Sequence, residues 1–83
     1  MAQEVLVDAA AWVALALQRD QWHQHATSEY RNLLGRTTTF VTTNLVVAES
    51  YLMIRSGAGH TFGMRFLHSV RTSPRVEVVR SDF

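Results

Sequence analysis

The chain has 83 residues, 47% of them hydrophobic, a formal charge of +1 and no cysteine. That length supports one small domain, which buries roughly 60% of its unfolded surface and is correspondingly marginal. The composition excludes a disordered chain, a disulfide framework and a thiolate metal site. No apolar run approaches the ~20 residues of a membrane helix. The start Met1-Ala2-Gln3-Glu4 lacks the basic opening of a signal peptide, so a soluble cytoplasmic domain is expected.

Glu4 to Asp8 reads as a short buried strand, because Val5, Leu6 and Val7 run without alternation. Ala9 to about Arg19 is rich in Ala and Leu and predicts a helix. Asp20 is placed to cap a second helix to about Leu34, whose apolar face is Trp22, Ala26, Tyr30, Leu33 and Leu34. Gly35 follows at a position that favours glycine. The β-branched stretch Thr37 to Thr42 predicts a second strand.

Thr43 or Asn44 is suited to cap a third helix to about Arg55, and Gly57 and Gly59 break the pattern. Phe62, Phe66 and Val70 recur every four residues and mark a fourth helix, stopped at Thr72-Ser73-Pro74. Arg75 to Arg80 carries Val76, Val78 and Val79 and predicts a third strand. The order β-α-α-β-α-α-β predicts an α/β fold: a parallel β-sheet flanked by helices, with right-handed crossovers.

Two carboxylates draw attention. Asp8 ends the first strand, and Glu49 sits alone in the apolar run Asn44 to Ile54. Both follow hydrophobic residues that lead toward the interior, where an uncompensated carboxylate is costly. Two roles are open to Asp8: a helix N-cap or a metal ligand. Glu49 has only Leu45, Val46, Leu52 and Met53 at helical spacing. It either faces solvent or an arginine from elsewhere, or binds metal. Both acids belong to the carboxyl edge of a parallel sheet, where open α/β sheets bind ligands. A divalent ion relieves the repulsion of two such acids, and Mg2+ suits a pair whose remaining ligands are water and phosphate.

Other candidates read as structural. His23 and His25 are two apart on a helix and face different ways; His60 and His68 have no ligand partners in sequence. Gly57-Ala58-Gly59-His60 follows a helix and lacks a Gly-Lys-Ser/Thr ending, so it is a helix break and no phosphate loop. Ser50 and Ser56 lack a nucleophile-elbow context. Trp12 and Trp22 suit packing, with a partner groove as the alternative. All eight basic residues are arginine, which fits phosphate recognition but equally a codon bias.

Taken in order, Val5-Leu6-Val7-Asp8 with Ala9-Ala10-Ala11-Trp12-Val13, Asp20-Gln21-Trp22-His23, Phe40 through Glu49, and the valine-rich strand before Ser81-Asp82 resemble the amino-terminal part of a PIN domain. The similarity is to the VapC-type toxin ribonucleases of toxin–antitoxin pairs, and it spans essentially the whole chain. It implies Mg2+- or Mn2+-dependent cleavage of RNA, with Asp8 and Glu49 as catalytic metal ligands and an antitoxin protein as partner; a homodimer is expected from the apolar edge of strand one. In the resembled pattern Asp20 and His23 cap and pack.

Such domains are longer. Their further site acids come from a later helix and strand, and the hydroxyl residue often found after the first aspartate is replaced here by Ala9 and Ala10. Asp82 reads as the cap of that later helix. Residues 1–83 are thus expected to form a single PIN-like domain incomplete at its carboxyl end: a fragment, a truncated product, or half of a site completed by another chain. The alternative is a non-catalytic interaction module that binds an antitoxin or itself, since strand one would lie unpaired on a sheet edge.

Overall fold

The computed structural model describes residues 2–81. The elements are β1 (Gln3–Leu6), α1 (Ala9–Ala16), α2 (His23–Leu34), β2 (Thr38–Thr43), α3 (Asn44–Ala58), α4 (His60–Thr72) and β3 (Val76–Val79). The strands form one parallel sheet in the order β1-β2-β3. The α/β parallel architecture expected from the sequence is the one observed, with element ends shifted by a few residues.

The shifts have local causes. The first strand ends at Leu6 because Asp8 turns out of it to cap α1, its Oδ1 accepting the Ala11 N–H at 2.9 Å. The first helix stops at Ala16, short of Arg19, and Asp20 does not cap the second. Instead the Asp20 N–H bonds the Leu17 carbonyl, and its Oδ1 accepts the Trp22 N–H at 2.8 Å. Asp20 therefore builds the turn, and α2 begins at His23. The third helix runs through Gly57 to Ala58. A Cβ on Gly57 would come 3.2 Å from Leu17 Cδ1, so its bare backbone lets α1 approach. The break falls at Gly59, whose φ of 95° is open to glycine at little cost.

All four helices lie on one face of the sheet. Trp12 of α1 donates its indole N–H to Thr42 Oγ1 of β2 at 3.1 Å. Tyr30 of α2 packs on Phe40, with ring centroids 4.8 Å apart. Phe40 is paired with Val76, so Phe40, Thr42 and Val76 share a face. Val76 packs against the core of Trp12, Val13, Ile54, Phe66 and Val70, which also receives Val46 and Val47 of α3. The result follows from topology. Both crossovers advance the same way across the sheet, and right-handed connections then place both helix pairs on the same side. The molecule is accordingly thin, 38 × 34 × 20 Å. The opposite face carries Glu4 and Leu6 of β1, Thr39, Val41 and Thr43 of β2, and Glu77 and Val79 of β3. Leu6 is 85% exposed there.

Candidate metal site at the carboxyl edge

The site is built where β1 and β2 give way to helices. The two strands run in register, Leu6 beside Val41, and the Val7 N–H continues the ladder to the Val41 carbonyl at 2.9 Å. Asp8 and Thr43 therefore end adjacent strands at the same level. Each caps the helix it precedes: Asp8 accepts from Ala11, and Thr43 Oγ1 accepts the Val46 N–H at 3.1 Å. Two helix N-termini, with their partial positive charge, thus open side by side. Thr42 locks the junction. Its hydroxyl donates to the Val7 carbonyl at 3.2 Å while accepting from Trp12, so α1, β1 and β2 are tied at this rim by one buried side chain.

Asp8 is exposed, with one carboxylate oxygen committed to the cap. Asp8, Ala11, Thr43 and Val46 line a shallow depression at this edge. Glu49 lies one turn of α3 beyond Val46, outside that lining, about 9 Å along the axis from Thr43 at 1.5 Å per residue. Its Cα–Cβ bond leans back toward the helix start, as in any α-helix. Met53 follows one turn further along the same flank of α3.

Burial differs from expectation. Glu49 is exposed, as are its neighbours Leu45, Leu52 and Met53. The α3 residues that enter the core are instead Val46, Val47, Tyr51 and Ile54. Glu49 has no hydrogen bond or ion pair among the described residues, so no arginine neutralises it. Both carboxylates are therefore accessible to a ligand, and the fold does not force either to be neutralised.

A divalent ion fits this donor set in kind, since Mg2+ and Mn2+ take carboxylate oxygens and Mg2+ retains several waters. It is short in number: among the described residues no three of Asp, Glu and His gather as a metal-binding group. Asp82, read from the sequence as a cap, lies outside the described residues. The preceding Ser81 reaches the same rim, its N–H bonding Asn44 Oδ1 at the start of α3 at 2.7 Å.

The histidines and tryptophans sort as follows. The His23 ring nitrogen Nδ1 lies 2.7 Å from the Ala14 carbonyl. A carbonyl only accepts, so Nδ1 carries the proton, and His23 ties α2 to α1. Trp12 is core. Trp22 is 60% exposed and stands edge-on to His25, beside an apolar groove between β1, α1 and α2 floored by Ala10, Ala14, Ala26 and Leu33. The sequence did not reveal the Thr42 junction, and it offered Asn44 only as a possible cap, a role that Thr43 takes while Asn44 receives Ser81. A threonine in the middle strand and an asparagine at the first helical position were the available signals, but their partners are remote in sequence.

The fold matches VapC20 of Mycobacterium tuberculosis, a sarcin–ricin loop cleaving toxin, with a TM-score of 0.78 at 20% sequence identity. The fold is PIN-like. The match covers 99% of this chain and 58% of the VapC20 chain, so every described element has its place in a PIN-like domain and the chain spans little over half of that protein. No protein-family profile matches the sequence, and no curated protein matches it.

Proposed function

We propose that the chain carries the metal-binding rim of a VapC-like toxin, a divalent-metal-dependent endoribonuclease acting on RNA phosphodiesters. What supports the reading is the coincidence of a PIN-like fold, shared with a toxin that cleaves an RNA loop, with two unneutralised carboxylates, Asp8 and Glu49, at the ligand-binding edge of its sheet. Asp8 offers its free oxygen to Mg2+ or Mn2+, while its other oxygen stays on the Ala11 N–H. This bond holds the carboxylate in place through the cap. Glu49 would supply the second ligand, its Cα–Cβ bond leaning back along α3 toward the rim. Asp8 and Glu49 would hold the ion, which would supply polarisation of a phosphate oxygen and acidification of a water. Arginines hold the RNA backbone, a contact that weakens with salt. With only these two acids among the described residues the rim would hold metal weakly, so residues 1–83 alone would cleave poorly or not at all.

Mn2+ binding tests this directly. Asp8→Ala and Glu49→Ala should each weaken Mn2+ affinity at least several-fold, and cleavage of structured RNA should require Mg2+ or Mn2+. Equal Mn2+ binding by all three proteins would remove both residues from the site.

A second reading is favoured by the exposed Leu6, Trp22 and Leu52. On it the chain is a non-catalytic interaction module, with the groove beside Trp22 receiving an antitoxin helix and the chain associating as a homodimer. Metal-independent binding of such a helix, without RNA cleavage at any metal concentration, would favour it. No helix among the described residues is long and apolar enough to cross a membrane, in keeping with a cytoplasmic role.

A further inference from the structure

Thr38 and Thr42 of β2 are equally buried, each 2% exposed, but their hydroxyls differ. Thr38 Oγ1 has no hydrogen-bond partner among the described residues, so threonine stands there for its fit to a strand. The Thr42 hydroxyl is used on both sides. It donates to the Val7 carbonyl at 3.2 Å and accepts the Trp12 indole N–H at 3.1 Å. The Trp12 backbone N–H in turn bonds the Asp8 carbonyl at 3.2 Å.

These bonds close a circuit around one residue. The Val7 carbonyl belongs to the peptide group before the Asp8 Cα, and the Asp8 carbonyl to the group after it. A peptide group is rigid and planar, so holding both fixes the two dihedrals of Asp8, φ −91° and ψ 175°. The cap bond from the Ala11 N–H then holds Oδ1. Thr42 also immediately precedes Thr43, the cap of α3, and α3 carries Glu49. One buried hydroxyl thereby sets the Asp8 backbone against the start of the helix that bears the other acid.

We propose that Thr42 and Trp12 are positioning residues for Asp8 as a metal ligand. They hold its carboxylate at one place and angle relative to α3 before an ion arrives. The proposal deepens the metal-site reading of Asp8 and rests on it. Neither side chain touches the ion. A valine in place of Thr42 would fill the same space, release the Val7 carbonyl and leave the buried indole N–H without a partner.

Mn2+ titration of the 83-residue chain tests this. Thr42→Val should bind Mn2+ roughly ten-fold more weakly, and Thr42→Ser, which keeps the hydroxyl, should bind like the wild type. In metal-free protein the Asp8 N–H order parameter should fall in Thr42→Val from the rigid value of about 0.85, and should not fall in Thr42→Ser. Trp12→Phe keeps a ring against Phe66 but has no N–H; it should also weaken binding, and it serves where Thr42→Val does not fold. Gly63→Ala strains α4 against Tyr51, outside the circuit, and should leave Mn2+ affinity unchanged. Unchanged affinity in Thr42→Val or Trp12→Phe, an unchanged order parameter in Thr42→Val, no rescue by Thr42→Ser, or an equal loss in Gly63→Ala would each overturn the proposal. Asp8→Asn separates the two ideas. If it weakens Mn2+ binding and Thr42→Val does not, the positioning role falls alone. If the wild type binds no Mn2+, or Asp8→Asn binds as well as the wild type, the metal site falls with it.

Discussion

The two faces of the sheet have opposite lives. On the helix face, Phe40, Thr42 and Val76 meet aromatic and aliphatic side chains from α1, α2 and α4. On the other face, Leu6 and Val79 meet solvent. Parallel sheets are found almost only with both faces covered, so an uncovered apolar face such as this one is unusual. The helix face carries the stability of the domain, and the bare face leaves Leu6 and Val79 exposed. Asp8 lies at the carboxyl edge of this sheet, at the start of α1.

Substitutions on the two sides should sharpen that contrast. Ile54 is 0% exposed at the centre of the helix-face core, and Ile54→Ala should cost about 3–4 kcal/mol. For a domain of this size that removes most of its stability, read as a large fall in Tm by circular dichroism. Gly63→Ala comes next. A Cβ there would lie 2.9 Å from Tyr51 Cε1, where α4 crosses α3, and forcing the ring aside should cost about 1–3 kcal/mol in chemical denaturation.

At the rim the effect divides. Asp8→Ala should lose about 1 kcal/mol with its cap, whereas Asp8→Asn, which still accepts from the Ala11 N–H, should lose little. If both lose Mn2+ binding while only one loses stability, capping and ligation are separate properties of one carboxylate. On the bare face, Leu6→Ser should leave stability within about 0.5 kcal/mol. A large loss there would show that the exposed face is already covered in solution.

Much of this was legible in the sequence, for identifiable reasons. Proline, glycine and the β-branched runs punctuate the chain strongly enough that every element appears in order. Asp8 before an alanine run announces a cap. Glu49 was harder. A helix with apolar residues on most of its circumference resembles a buried one, and Leu45, Leu52 and Met53 made Glu49 look enclosed. The chain leaves that flank open. Which side of β2 receives β3 is a tertiary choice that periodicity does not encode, and the one-sided sheet follows from it. The Thr42 junction was likewise invisible, because its partners Trp12 and Val7 lie 30 and 35 residues away.

At the end of the sheet remote from the rim, Arg75 spreads its guanidinium over three backbone carbonyls, those of Leu34, Arg36 and Thr38. The last turn of α2, the reverse turn after it and the entry of β2 are thereby pinned to β3 by a single planar cation, a task for which a lysine ammonium has the wrong shape. The molecule is thus clamped at its foot and open at its mouth. The foot of the sheet is thereby a fixed reference for the rim at its other end.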